Sequence, residues 1–244
     1  MEVLTPRHLV LVRHGESEGD VRRKLKLPAL KHPIHEEQTK VGHEQSRAAG
    51  SWITKHILGA YGLNGFNKYL VSPLIRTRQS ANSLDLSDVW VEDPRLAERN
   101  RGDIQGLTNK QHIERFPKSY KQMSEHPFHW VPPHGESILA VSHRFGELVN
   151  DVVNTSNVLI MTHRDVIWAA LVPLEGMNLE EVESLNTDTI NNGQVTHYTN
   201  VNPSTGVAES LELIWKRSVN PSEANIPVQN IEWINVSNIR QSQV

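Results

Sequence analysis

Short apolar runs that stop abruptly at polar residues, separated by stretches of helical periodicity, constrain the fold of this chain most. His8 to Val12 (HLVLV) breaks into Arg-His-Gly, as a buried strand does where it ends in a loop. Tyr69 to Val71 ends at Ser72-Pro73, and Val158 to Met161 ends at Thr162-His163. From Thr39 to Ile57, the residues Val41, Ala48, Ala49, Trp52, Ile53 and Ile57 recur at helical spacing. Ile138, Val141, Ser142, Phe145, Leu148, Val149, Val152 and Val153 form a second such stripe. The pattern further predicts helices from Ser72-Pro73 to Leu84 and after His163. A short strand is expected at Val89–Val91, with late strands at Val195–Thr199 and Leu211–Trp215. Strand and helix alternate, so an α/β fold follows, with a largely parallel sheet and helices on both faces.

Composition narrows the function. Hydrophobic residues at 37% allow a packed core, and a net charge of −3 gives no basic footprint for nucleic acid or an anionic membrane. Any positive charge that serves an anionic ligand must be concentrated locally. Cysteine is absent, which removes disulfides, thiolate zinc sites and cysteine nucleophiles, and mildly favours a reducing compartment. Met1 to Arg7 lacks the pattern of a signal peptide, and no apolar run approaches bilayer length, so a cytoplasmic location is expected. The glycosylation patterns at Asn154 and Asn235 carry little weight in that setting. One domain over residues 1–219 is the simplest division. The polar, irregular stretch 99–134 is expected to lie over one end of the sheet, and 220–244 to form a tail packed on the domain.

In open α/β sheets, ligands bind beyond the carboxyl ends of the strands. Arg13-His14-Gly15-Glu16-Ser17, Ser72 through Arg78, and Thr162-His163-Arg164-Asp165 all follow strands, so the topology should bring His14 and His163 to one edge. That set of residues suits phosphoryl transfer. Guanidinium forks from Arg13, Arg76 and possible support from Arg99 match phosphate oxygens. A neutral imidazole can attack phosphorus while a second, positive histidine stabilises the equatorial oxygens. Gly15 would let the backbone turn tightly and approach the ligand. Glu98 is the best candidate for the acid, because a bound dianion would push its carboxyl toward the protonated form.

At these residues the chain resembles the histidine phosphatase superfamily, which includes the cofactor-dependent phosphoglycerate mutases. The likeness runs from His8 to Tyr198 and is carried by Arg13-His14-Gly15-Glu16-Ser17, Gln38 through Ser46, and Ser72 through Ala81. Glu98-Arg99 with Gly102 and Gln105-Gly106-Leu107, His134-Gly135-Glu136-Ser137 and Met161-Thr162-His163 complete it. The resemblance implies a three-layer α/β/α sandwich with neither metal nor organic cofactor. It also implies that His14 becomes phosphorylated, that Arg13, Arg76 and His163 complete the phosphate pocket, and that Glu98 is proton donor and then base.

The chain departs from the family pattern at three places. Asp20 stands where the family often has Asn, and would repel phosphate unless protonated or turned away. Arg164 replaces the usual Gly after the second histidine, and either reaches a second anionic group on the substrate or points to solvent. The stretch between Glu98 and Gly135 is shorter than in phosphoglycerate mutases. The short stretch places a hydrolase acting on a small or medium phosphomonoester ahead of a mutase. Asp20 and Arg164 give the only support for a phosphate-binding protein without turnover, which the intact His14, His163 and Glu98 oppose. Ser17, Asp20, Arg99 and Arg164 are the candidate substrate-binding residues, although Ser17 could instead cap a helix and either arginine could be an ordinary surface residue. His126, His129 and His134 are irregularly spaced in a loop without cysteine partners, which argues against zinc. Trp130-Val131-Pro132-Pro133 reads as a lid, a substrate wall or a packed loop. The substrate and the oligomeric state are not legible.

Overall fold

The computed structural model describes residues 7–29, 32–152, 157–185, 189–223 and 231–237. Strands β1 (His8–Arg13), β2 (Lys68–Val71), β3 (Val91–Glu92), β4 (Asn157–Thr162), β5 (Val195–Thr199), β6 (Trp215–Val219) and β7 (Ile234–Asn235) form one sheet. Its order is β3-β2-β4-β1-β5-β6-β7. The core is parallel: β1 and β2 both flank β4, and β3 lies beside β2. The last three strands run antiparallel.

The apolar runs are continuous rather than alternating because the central strands are covered on both faces. Leu9 and Leu11 enter one core with Leu70, Val158 and Ile160. Val10 and Val12 enter the other with Val71, Leu159 and Met161. Helices α1 (Glu18–Lys24), α2 (Lys40–Ile53) and α3 (Ile75–Leu84) precede α4 (Asn109–Arg115) and α5 (Pro117–Glu125). They are followed by α6 (Ile138–Val152) and α7 (Arg164–Ala169). Helices α2 and α3 supply Ala49, Trp52, Ile53, Ala81 and Leu84 to the second core, while α6 and α7 supply Phe145, Leu148 and Val166 to the first. Leu11 is fully buried, and truncating such a leucine to alanine costs about 2–5 kcal/mol.

Several expectations shift. The helix expected to reach Ile57 leaves α-geometry at Ile53 and continues as a wider turn over Thr54–Leu58, where the Thr54 hydroxyl donates to the Gly50 carbonyl. Val153 and Asn154 lie outside the described residues. The strand expected at Leu211–Trp215 instead begins at Trp215 and runs to Val219, with Arg217 buried within it although its polarity alone argues against a core position. Its guanidinium is sandwiched 4.8 Å from the Trp52 ring and 4.4 Å from that of Trp233, which compensates its burial. The stretch 99–134 is more regular than expected. A Thr108–Gln111 capping box starts α4 and Pro117 opens α5, two short, largely polar helices. Of the 220–244 segment, Ile234–Asn235 pairs with β6 as β7 and Val236 is fully buried; residues 224–230 and 238–244 lie outside the described residues. Among the described residues no helix is long and apolar enough to cross a membrane.

Candidate active site

Because β2, β4 and β1 are neighbours, their carboxyl ends bring the three polar segments to one edge of the sheet. The His14 amide donates to the Thr162 carbonyl at 3.0 Å, tying the first segment to the last. The Gly15 amide donates to Ser80 Oγ of α3 at 3.1 Å. Gly15 is required by the protein's own packing rather than by approach to a ligand: a Cβ there would sit 2.1 Å from the Gly42 carbonyl oxygen on α2.

His14 is buried, and its ring orientation fixes its tautomer. Nδ1 lies 2.8 Å from the Gly15 carbonyl oxygen, which can only accept, so the proton resides on Nδ1 and the lone pair on Nε2. Arg76 Nε donates to that Nε2 at 3.3 Å. Burial, seconded by Arg76 and Arg13 and opposed by Asp20, lowers the imidazole to about 3, so it is neutral over the physiological range. The His163 ring stands at 65° to it with centroids 5.1 Å apart. His163 Nε2 shares a 2.7 Å hydrogen bond with Ser72 Oγ, while Nδ1 has no hydrogen-bond partner among the described residues and lies 3.9 Å from Glu98 Oε2. Burial, followed by Arg76, His14 and Arg13, holds His163 well below its ordinary value. The histidine expected from the sequence to be positive is therefore held neutral by its surroundings in the protein. A phosphate dianion would offset the arginines and favour protonation of His163.

Two arginines wall the cup. Arg13 donates to the Ile190 carbonyl at 2.6 Å and to Asp20 Oδ1 at 3.0 Å. Arg76 donates through Nη1 to the Pro33 carbonyl at 2.7 Å, with Glu36 3.9 Å away. Asp20 is turned into a network: it accepts from Ser17, Arg13, Arg23 and Asn192. Burial opposes its ionisation, but His14, Arg13, Arg23 and the Ser17 hydroxyl outweigh this and hold its carboxyl far below the usual range. Glu98 moves the opposite way. Burial and then the Asp165 charge raise its carboxyl above the ordinary value, against the pull of Arg76, Arg101 and Arg164. The site thus holds a neutral nitrogen base whose lone pair meets Arg76 beside a second cation, together with a carboxyl disposed to carry a proton.

The remaining sequence candidates divide by their partners. Ser17 caps α1 in a reciprocal capping box with Asp20 and also borders the cavity. Arg99 lines the cavity, yet its guanidinium donates to the carbonyls of Glu136 and Trp130 and lies over the Trp130 ring at 4.8 Å. Burial lowers it to about 10, which leaves it charged at neutral pH. Arg164 Nε donates to Asp165 at 3.2 Å and borders the cavity. The Trp130–Pro133 stretch is absent from the cavity wall; Trp130 packs beneath Arg99 and donates to Ser119. His134 pairs with Asp103, and among the described residues no group of three histidine or acidic side chains stands positioned for a metal ion.

Sequence reading missed Ser72, Glu36, Arg101, Asp165 and Asn192 as parts of the site. Ser72 and Asp165 sit inside segments already singled out, so their polarity at a strand end was the available signal. Glu36 and Asn192 come from loops with no periodicity to place them. The cavity above the cup has a volume of about 960 Å³, near the upper end of the 300–1,000 Å³ common for ligand sites.

Comparisons with known proteins agree with this geometry. The family model described as "Histidine phosphatase superfamily (branch 1)" matches residues 9–207. The 2,3-bisphosphoglycerate-dependent phosphoglycerate mutase of Bartonella henselae is 28% identical over 191 residues, 73% of this chain and 86% of the relative. That of Parvibaculum lavamentivorans is 29% identical over 195 residues, 75% and 87% of the two chains. A mycobacterial glucosyl-3-phosphoglycerate phosphatase solved with VO3 superposes with a TM-score of 0.64 at 25% identity, covering 79% of this chain and 92% of the other. The alpha-ribazole phosphatase of Shigella flexneri shares the fold, with a TM-score of 0.64 at 22% identity over 84% and 96% of the chains. With the family model covering most of its length and both histidines meeting at one sheet edge, the chain belongs to branch 1 of the histidine phosphatase superfamily.

Proposed function

We propose that the protein is a phosphomonoesterase that passes the phosphoryl group of its substrate through a phosphohistidine to water. The observation that carries this reading is the His14 tautomer: Nδ1–H is committed to the Gly15 carbonyl, so Nε2 offers its lone pair inside a cup walled by Arg13 and Arg76. Nε2 attacks phosphorus, the bond from phosphorus to the ester oxygen breaks, and Glu98 gives that oxygen its proton. Arg13, Arg76 and a protonated His163 balance charge on the phosphoryl oxygens. Water then attacks the phosphohistidine and gives its proton to Glu98. The P–N bond breaks, its electron pair returns to Nε2, and inorganic phosphate leaves. Turnover of a phosphomonoester panel by the wild type, and its loss in a folded His14→Ala variant, tests the assignment; undiminished phosphate release by that variant refutes it.

The mutase relatives favour a second reading, in which the phosphoryl group returns to a different hydroxyl instead of water. Feeding 3-phosphoglycerate with catalytic 2,3-bisphosphoglycerate distinguishes the two. Accumulation of the 2-isomer supports the isomerase, and release of phosphate from a phosphoester without isomer supports the hydrolase.

A further inference from the structure

We propose that Asp20 is a positioning residue for the nucleophile, whose carboxylate balances the positive charge that the His14 ring carries while it is bonded to phosphorus. This rests on the phosphatase reading above and adds to it the group that acts on the far side of the nucleophile.

The two carboxylate oxygens are divided between different kinds of partner. Asp20 is only 4% exposed, and its Oδ2 lies 3.9 Å from His14 Nδ1, the nitrogen opposite the one assigned to attack. That oxygen accepts from the Ser17 amide at 3.0 Å, the Ser17 hydroxyl at 2.8 Å and Asn192 Nδ2 at 3.1 Å, all neutral groups. Arg13 and Arg23 both bond the other oxygen, at 3.0 and 3.1 Å. Asn192 Nδ2 also donates to the His14 carbonyl at 3.1 Å, so one amide ties the carboxylate to the backbone of the nucleophile. The Ser17 capping box fixes the same edge from α1. Asp20 is therefore pinned with the oxygen bonded by neutral groups turned toward the imidazole.

The chemistry gives that placement a use. As Nε2 forms its bond to phosphorus, the ester P–O bond breaks, and its electron pair leaves on the alcohol oxygen that takes the Glu98 proton. Nδ1 keeps its proton on the Gly15 carbonyl, so the ring gains one positive charge. The carbonyl offers that charge a dipole, whereas Asp20 offers a full negative charge. Among the charges acting on His14, Asp20 has the largest effect, and it is opposed by Arg76 and Arg13. When water cleaves the P–N bond, the electron pair returns to Nε2 and the ring is neutral again. The carboxylate thus favours the phosphorylated ring over the free one. An opposite charge at this range moves the balance between charged and neutral forms by about 10–10³-fold.

The test compares two anions by titration calorimetry on the wild type, Asp20→Asn and Asp20→Ser. Orthovanadate accepts a bond from the imidazole nitrogen and so puts positive charge on the ring, whereas inorganic phosphate rests in the cup without that bond. Asp20→Asn keeps the shape and removes the charge. It should raise the vanadate Kd about tenfold to a hundredfold, with the phosphate Kd unchanged or lowered. Asp20→Ser, small enough to admit water to the two arginines, should do the same, and whichever variant shows a cooperative melt suffices. For p-nitrophenyl phosphate, kcat/KM reads the first chemical step and should fall by about tenfold or more. Equal weakening of both anions would mean that Asp20 only holds Arg13 in place, and overturns the proposal; so does an unchanged vanadate Kd. Either result leaves the phosphatase reading standing. A wild type that binds vanadate no more tightly than phosphate overturns both.

Discussion

Arg76 Nε donates to Nε2 of His14 at 3.3 Å, so the arginine covers the lone pair to which the proposed mechanism assigns the attack on phosphorus. The contact helps to keep the imidazole aimed and neutral, and in the proposed reaction an incoming phosphoryl group would take the arginine's hydrogen bond as it met the nitrogen. Arg76→Lys keeps the charge but loses the planar fork and the Nε contact. It should lower kcat/KM by about 10²–10³, the range for loss of one transition-state donor. Steady-state phosphate release checks this; a loss of less than threefold would contradict a role for Arg76 at the reacting group.

Glu98 should be detected through the leaving group and through pH. As a general acid it must be protonated in the first step, so kcat/KM for an alkyl phosphate falls as pH rises through its folded-state pKa. That limb lies above the ordinary glutamate value, since burial and Asp165 raise it. Below it, His14 stays neutral down to about 3, so activity persists well into acid. Glu98→Gln should cost about 10²–10⁴ on an alkyl phosphate. It should cost much less on p-nitrophenyl phosphate, whose leaving group needs little protonation, and the alkaline limb should vanish. The same loss on both esters would remove the acid role.

Gly15→Ala tests the reason given for that glycine. Its Cβ would meet the Gly42 carbonyl oxygen at 2.1 Å, so the loop bearing His14 must shift away from α2. A stability loss of about 1–3 kcal/mol is expected, in the range for overpacking, together with reduced kcat because His14 loses its aim. A variant with wild-type Tm and kcat would show that the packing constraint is unreal.

The cores were readable because β1, β2 and β4 are buried on both faces and need uninterrupted apolar runs, and because α2 and α6 each press one stripe on the sheet. Arg13, His14, Arg76 and His163 were readable for the same reason: each lies at or just beyond the end of such a run. What escaped has a common cause. Arg217 is an inward-facing cation stabilised by two tryptophans distant in sequence, and Asp165 is a buried acid stabilised by Arg101 from another segment. Compensation of that kind exists only after folding, so hydropathy along the chain cannot show it. Glu36 and Asn192 reach the cup from loops for the same reason.

A second buried histidine pair, away from the cup, makes stability depend on pH. His8 Nδ1 and His197 Nε2 are 3.0 Å apart between β1 and β5, near Arg217 and Tyr61. Burial and then Arg217 lower His8 to about 4, and burial followed by His8 and Arg217 holds His197 well below its usual value. Both folded pKa values lie under the unfolded value near 6.5, so the unfolded chain binds protons first. Stability is full above pH 6.5 and declines as pH falls toward 4, by up to about 1.4 kcal/mol per unit for each histidine. Asp20 and Asp165, held ionised, add losses only at lower pH. Thermal melts from pH 7.5 to 4.5 should show Tm falling, with a shallower fall in His8→Gln/His197→Gln; a flat profile in the wild type would contradict the buried neutral pair.

Trapping the enzyme during turnover addresses His14 most directly. After an alkaline quench of the wild type with a turned-over phosphomonoester, peptide mapping should find phosphate on His14, stable in base and lost in acid. Turnover that leaves His14 unmodified, or places the phosphate on His163, would contradict the assignment of the nucleophile.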